Sequence, residues 1–274
     1  RAAVNVVDVP AGFAQEILAD PSASVPDLVI PAAWVRACVQ FEGWYSQTFK
    51  KSPRMTGKKA GGLDVAGYGS NLTVLVLRNG AVVEDILEQR EGNTTVNAYW
   101  AADEGARYDV SVMAYDDVGI GQGVGDTWAA SVKDRPRFSV LPFQAGSTPT
   151  EYRWPNGLTS QERFTNLRSE MWWHVRERCR KTYEVRNGIR SWPLDQCLSL
   201  PLGCQTLMEQ LSQPKEVRDK RRIMVESKKE MKARGLESPD YADALIMSEF
   251  CYLAAVSSRS MSALERTRAI HGSR

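Results

Sequence analysis

Histidine is nearly missing: His174 and His271 are the only two in 274 residues, so a Ser-His-Asp or Cys-His catalytic arrangement has little material. His174 falls in a helical apolar pattern and is expected either to pack in the core or to lie at the surface, and His271 falls in a terminal tail. None of the five cysteines, Cys38, Cys179, Cys197, Cys204 and Cys251, stands in a C-x-x-C pair. That argues against a disulfide framework and a zinc site and fits a reducing, cytosolic setting. No apolar run reaches the roughly 18 residues of a membrane helix. Gly119, Gly121, Gly123 and Gly125 recur at every second position, but no Lys-Ser/Thr follows and G-x-G-x-x-G is not met, which excludes a Walker A loop and weakens a dinucleotide fingerprint. The first 25 residues lack the basic, apolar and small-residue order of a signal peptide, and a start at Arg1 is expected of a processed or excised piece. Net charge has almost no sign, with 35 Lys and Arg against 33 Asp and Glu.

What is present is a patterned charge and a change of periodicity. Basic residues cluster over 176–190, including Arg186 and Arg190, and over 215–234, including Lys228, Lys229 and Lys232. Such clusters neutralise phosphates, although a solvated helix face gives the same pattern. Up to about Lys59 five prolines interrupt the chain, which reads as a linker with one helix at Ala32 to Phe41. From Gly61 onward β-type runs take over: Leu63 to Ala66, Leu72 to Leu77 and Ala81 to Leu87, with Asn79-Gly80 as a hairpin turn. A helix from Thr94 or Thr95, a strand at Tyr108 to Tyr115, a helix near Val124 to Val132 and a strand at Phe138 to Phe143 complete the order βββαβαβ. Beyond these, Phe164 to Cys179 carries helical apolar spacing and Trp172-Trp173 is expected half in the core. Asn187-Gly188 signals a second hairpin, Ile223 to Val225 a short strand, Ser227 to Arg234 a helix stopped by Gly235, and Asp240 to about Ala255 a last helix.

Acidic residues at strand ends are the sharpest chemical feature. Asp64 interrupts an apolar strand just before Gly67 and Gly69, and Asp116 and Asp117 end the fourth strand before a glycine-rich turn, where ligands of open α/β sheets bind. Asp240 and Asp243 open the last helix on one face. Alone, each has a structural reading, a helix cap or a turn closure. Brought together, Asp64, Asp116 and Asp243 make an oxygen-only cluster suited to Mg²⁺ or Mn²⁺.

The order βββαβαβ, with one carboxylate on the first strand and another at the end of the fourth, resembles the α/β ribonuclease H-like fold, a mixed β-sheet flanked by helices. More narrowly, Val225 to Leu245, with its Ser238-Pro239-Asp240-Tyr241-Ala242-Asp243-Ala244-Leu245, resembles the C-terminal signature of the nuclease domain of tailed-phage terminase large subunits. Gly62 to Gly69, Tyr115 to Asp126 and Asn166 to Trp173 match further motifs, and Leu28 to Val35 is similar to the connector that follows the packaging ATPase domain. The resemblance divides the chain into a connector (1–58), a nuclease domain (59–256) and a tail (257–274), with the ATPase domain absent. It implies a metal-dependent endonuclease that cuts concatemeric double-stranded phage DNA during genome packaging. Asp64 would bridge two divalent ions, Mg²⁺ or Mn²⁺, Asp116 and Asp243 would each hold one, and Asp240 would be auxiliary. Motif spacing favours Asp116, with Asp117 as the alternative. Lys228, Lys229 and Lys232, and Arg186 and Arg190 on the second hairpin, are expected to grip the DNA backbone. Implied partners are the terminase small subunit and portal protein, reached through the full-length large subunit in the host cytoplasm, with no membrane. The competing expectations are a catalytically silent module of the same fold that binds DNA or packaging partners, and a resolvase or integrase-type nuclease.

Overall fold

The computed structural model describes residues 27–66, 72–90, 92–130, 136–219 and 221–254. Gly67, Gly69, the end of the Val124 to Val132 pattern, His271 and the tail 257–274 lie outside them. Two helices, α1 (Ala32–Cys38) and α2 (Phe41–Phe49), precede the strands β1 (Lys59–Asp64), β2 (Thr73–Asn79) and β3 (Val82–Gln89). Helix α3 (Thr94–Arg107) leads to β4 (Val112–Asp116), and α4 (Gln122–Ala130) to β5 (Ser139–Phe143). After these come α5 (Ser160–Arg163), α6 (Leu167–Arg186), α7 (Gln205–Leu211), a hairpin of β6 (Glu216–Asp219) and β7 (Arg222–Val225), α8 (Lys228–Ala233) and α9, residues 240–254.

The five strands form one sheet in the order β3-β2-β1-β4-β5. The first three are antiparallel, while β4 runs parallel to β1 and β5 to β4. The chain therefore forms the mixed, helix-flanked α/β sheet of the ribonuclease H-like class, in the order βββαβαβ. Period-two alternation sorts the core onto two faces. Leu63, Leu75, Leu77, Met113 and Tyr115 pack with Ala98 and Ala101 of α3 and Val124 and Trp128 of α4. Ala60, Val74, Val76, Val112 and Ala114 face the other way, against α1, α6 and α9. Asp64 continues the second set on β1 and Asp116 continues it on β4, so the alternation aims both acids at the α9 face.

Helix α9 lies directly on β1. A Cβ at Gly62 would sit 2.0 Å from the carbonyl oxygen of Ala244 and 2.4 Å from the nitrogen of Ser248, so only glycine permits this approach. The far end of α9 is tied down by Glu249, whose two oxygens meet Arg78 of β2 at 2.6 Å and Arg178 of α6 at 2.7 Å in the interior. Those two guanidinium groups overcome burial and hold the Glu249 carboxyl down at about 2.

Several sequence expectations are corrected. Residues 28–55 carry two helices rather than one, and Val29, Ile30, Val35 and Cys38 belong to the main core, so this stretch is packed rather than strung out. Asn79-Gly80 does mark the first hairpin, but only Gly80 takes a positive φ and the turn residues are Gly80 and Ala81. The second hairpin does not form. Helix α6 runs on to Arg186, and Gly188 (φ 66°) turns the chain out of it, with its N–H donating to Val185 and that of Ile189 to Glu184. The same left-handed glycine that suits a hairpin turn also suits a helix C-terminus, and here the helical apolar stripe decides. Trp172 and Trp173 are both buried, and His174 packs edge-on to Tyr152 and tilted on Trp154, 4.8 and 4.6 Å between ring centroids.

Gly62→Ala is expected to lower the unfolding free energy by about 1–3 kcal/mol through overpacking, measured by chemical denaturation. Gly43→Ala, in α2 with no heavy atom within 4 Å of the added methyl, is expected to gain up to about 1 kcal/mol from helix propensity.

Candidate metal centre

Three elements deliver the acids. Register pairs Leu63 of β1 with Tyr115 of β4, so the next residues, Asp64 and Asp116, end neighbouring parallel strands side by side. The close approach at Gly62 sets the first turn of α9, with Asp243, over these ends. Asp64, Asp116 and Asp243 line one open cleft of about 350 Å³, together with Val118, Phe143, Asn166, Arg168, Ser227, Lys228 and Met247 among others. Asp117 points elsewhere: its carboxylate accepts from Tyr115 (3.2 Å) and Gln144 (3.0 Å). Asp116, by contrast, lines the cleft, and its own Oδ1 accepts the Val118 N–H at 3.2 Å. Asp240 stands one turn before Asp243, held by the Ser238 side chain and the Leu72 backbone, and its field reaches Asp64.

The ammonium of Lys228 occupies the space between two of the carboxylates, 3.0 Å from Asp243 Oδ2 and 3.6 Å from Asp64 Oδ2. Its position follows from α8, where Ser227 and Glu230 form a reciprocal cap that starts the helix with Lys228 as its first residue. From the other side Arg168, in the first turn of α6, reaches Asp243 Oδ1 with Nε at 3.3 Å. Among the described residues no three His, Cys, Asp or Glu side chains already converge as a ready-made metal cage. Lys228 instead supplies the positive charge that lets the acids stand this close.

Electrostatics separates the three acids. Asp64 is 5 % exposed, and burial, offset by Lys228 and reinforced by Asp243, Asp240 and Asp116, pushes its carboxyl up to about 7. Burial likewise raises Asp116. Asp243 is equally buried, yet Arg168 and Lys228 hold it below the ordinary carboxylate range. Lys228 is pushed well above the usual lysine range, because Asp243 and Asp64 outweigh its desolvation. The buried Asp64 Oδ2 has no hydrogen-bond partner, and a buried carboxylate oxygen in that position is stable only when protonated or next to a cation. Its nearest cation is the Lys228 ammonium at 3.6 Å, and an all-oxygen donor set that already draws a cation fits a hard divalent ion.

The basic residues expected to grip DNA divide into three groups. Lys228 faces the acids rather than an external phosphate. Lys229 and Lys232 are exposed on α8, the helix whose first residue, Lys228, lines the cleft. Arg186 and Arg190 are not brought to the site. Arg186 ends α6, about 27 Å along the helix axis from Arg168 at 1.5 Å per residue, and donates to the carbonyls of Ala37 and Val39. Arg190, just past it, stacks its guanidinium over Trp192 at 4.1 Å. Their expected place depended on the hairpin that does not form. Arg168 was missed in the sequence, because an arginine on a long polar-faced helix gives no sign of the carboxylate it meets 75 residues later.

The Asp64 shift carries a sign for stability. An unfolded aspartate loses its proton near 4 and the folded one near 7, so between these values the folded state keeps the extra proton and stability falls as pH rises. Asp64→Asn removes that loss. Without added metal it is expected to unfold as cooperatively as the parent, to match it most closely near pH 4, and to exceed it by up to about 4 kcal/mol at pH 8, as read from denaturation curves across that range.

No protein-family model matches the sequence, and no curated protein matches it. Among solved structures, the nuclease domain of the large terminase subunit gp2 of bacterial virus Sf6 is similar at 21% identity, with a TM-score of 0.71 over 81% of this chain and 97% of that one. A lysine-to-alanine variant of that domain with manganese and beta-thujaplicinol has the same values. The variant with calcium differs only in coverage, 98% of its own chain. The mixed sheet, its strand order and the helices that close over it thus give this chain the fold of the nuclease domain of phage large terminase subunits.

Proposed function

We propose that the protein is a divalent-metal-dependent endonuclease that hydrolyses double-stranded DNA, and that it serves the cutting of concatemeric phage genomes during packaging. One observation supports this most directly: three acids from β1, β4 and α9 line one cleft around a buried Asp64 oxygen that has no hydrogen-bond partner. The fold shared with terminase nuclease domains supports the reading that the substrate is DNA handled in packaging. In this reading residues 1–58 form the connector behind a packaging ATPase domain, 59–256 the nuclease domain and 257–274 a tail. The terminase small subunit and portal protein would be partners of the full-length large subunit, in the host cytoplasm.

Asp64, Asp116 and Asp243 would together hold two ions, Mg²⁺ or Mn²⁺, with Asp240 as an auxiliary acid. Two such ions supply an activated hydroxide and neutralise the departing 3′ oxygen of an in-line displacement. Asp64 would hold an ion as the carboxylate, and the Lys228 ammonium, 3.0 Å from Asp243 Oδ2 and 3.6 Å from Asp64 Oδ2, would give way where an ion takes its place. The half-exposed stem of Lys228 allows that swing. Lys229 and Lys232 would then hold the backbone of the duplex beside the cleft, by charge and without reading sequence.

The chain is expected to nick and then linearise supercoiled plasmid with Mn²⁺ or Mg²⁺, and EDTA or Asp64→Asn is expected to abolish this. A folded parent that cuts under no ion, and whose melting temperature does not respond to Mn²⁺, would instead be the silent binding module. Replacing both Lys229 and Lys232 by Gln is expected to reduce the slope of log affinity against log salt by about 2, at roughly 0.9 per phosphate contact, in filter binding with Ca²⁺. Arg190→Gln is expected to leave that slope unchanged.

A further inference from the structure

The two oxygens of Asp243 meet two cations that differ in how they are held. Oδ2 faces Lys228, whose side chain is 46 % exposed on a flexible stem. Oδ1 faces Arg168, whose side chain is 12 % exposed and anchored on two further sides. Its Nη1 donates to the backbone carbonyl of Glu226 at 3.0 Å, and its guanidinium lies 5.6 Å from the ring centroid of Trp172, a fully buried core residue. The turn that carries Arg168 is fixed in its own right. Asn166 caps it through the Ser169 N–H, and Ser169 Oγ accepts the Val225 N–H at 3.0 Å, joining the start of α6 to β7. Glu226, next in sequence, is held by a fork from Arg234 at 2.6 and 2.7 Å. Lys228 is thus a cation that can leave, and Arg168 is one that stays.

We propose that Arg168 is a positioning residue that leaves Asp243 a single oxygen for an incoming ion, and so biases the centre toward Mg²⁺ or Mn²⁺ and against Ca²⁺. The inference rests on the metal-centre reading above. Mg²⁺ needs near-ideal octahedral geometry with short bonds, which one-oxygen carboxylate ligands provide. Ca²⁺ takes six to eight oxygens at longer distances and readily uses both oxygens of one carboxylate. With Oδ1 engaged by a fixed guanidinium, two-oxygen chelation by Asp243 requires breaking a charge-assisted hydrogen bond away from water. The guanidinium cannot relieve this by losing a proton, because arginine stays charged in proteins.

The test is calorimetric titration of the whole chain with MnCl₂ and with CaCl₂, without DNA, for the parent, Arg168→Gln and Arg168→Lys. Removing a positive charge strengthens the binding of either ion, so the ratio of the two affinities is the readout. In Arg168→Gln the Ca²⁺ to Mn²⁺ affinity ratio is expected to rise about tenfold. Arg168→Lys keeps the charge but has no fork to hold both Asp243 and the Glu226 carbonyl, and is expected to rise in the same direction by less. Should Arg168→Gln fail to fold, the lysine variant alone decides by the direction of its ratio. Equal changes in both affinities, leaving the ratio as in the parent, would overturn the inference while leaving the metal centre standing. A parent that binds neither ion would instead bring down the metal-centre reading, and this inference with it.

Discussion

Holding several carboxylates together in a largely buried cleft is the constraint around which this site is arranged. Asp64, Asp116 and Asp243 share a cleft with little water around Asp64 and Asp243, and like charges in such a place cannot all ionise unless positive charge is supplied. The chain supplies it asymmetrically. Arg168 and Lys228 both serve Asp243 and hold it below the ordinary carboxylate range, whereas Asp64 relies on the more distant Lys228 ammonium and burial pushes its carboxyl up to about 7. Asp64 is therefore a buried acid with less positive charge beside it than Asp243 has.

The cleft exists because α9 is seated on the sheet with almost no gap. Gly62 lets the helix backbone touch β1, and Glu249 fastens the helix six residues past Asp243 to β2 and α6 at once. A buried ion pair contributes little net stability against an apolar alternative, but losing one partner is severely destabilising. Here that sensitivity acts on orientation, since a helix that slid or rotated would carry Asp243 away from Asp64. Packing and charge thus act on the same helix, one bringing it near and the other setting its register.

Most of the sheet was legible in the chain because its signals are local. Alternating apolar residues in β1, β2 and β4, the glycine near the first hairpin turn and the capping residues Ser227 and Glu230 act within a few positions of one another. The same alternation places Asp64 and Asp116 on one face, and the first turn of α9 places Asp240 and Asp243 together. Asn187-Gly188 was misread because a left-handed glycine ends helices and turns hairpins alike, and the length of the apolar stripe before it had to arbitrate. Residues 28–55 read as a linker because prolines interrupt their periodicity, while their burial depends on α6 and α7, far along the chain.

By itself, then, the sequence determined the βββαβαβ order of the sheet and its helices and the faces of its strands, which put Asp64 and Asp116 on one side, through short-range patterning. Tertiary structure alone decided which cations meet those acids. Lys228 looked like one basic residue in an exposed cluster, and only the placement of α8 beside α9 turns its ammonium inward onto Asp243 and Asp64. Arg168 reaches Asp243 across 75 residues of sequence, and Arg186, with a similar local composition, is carried to the opposite end of the same helix. The physical reason is that a charge acts through distance in space, and nothing in local sequence records which charges folding will bring within 4 Å.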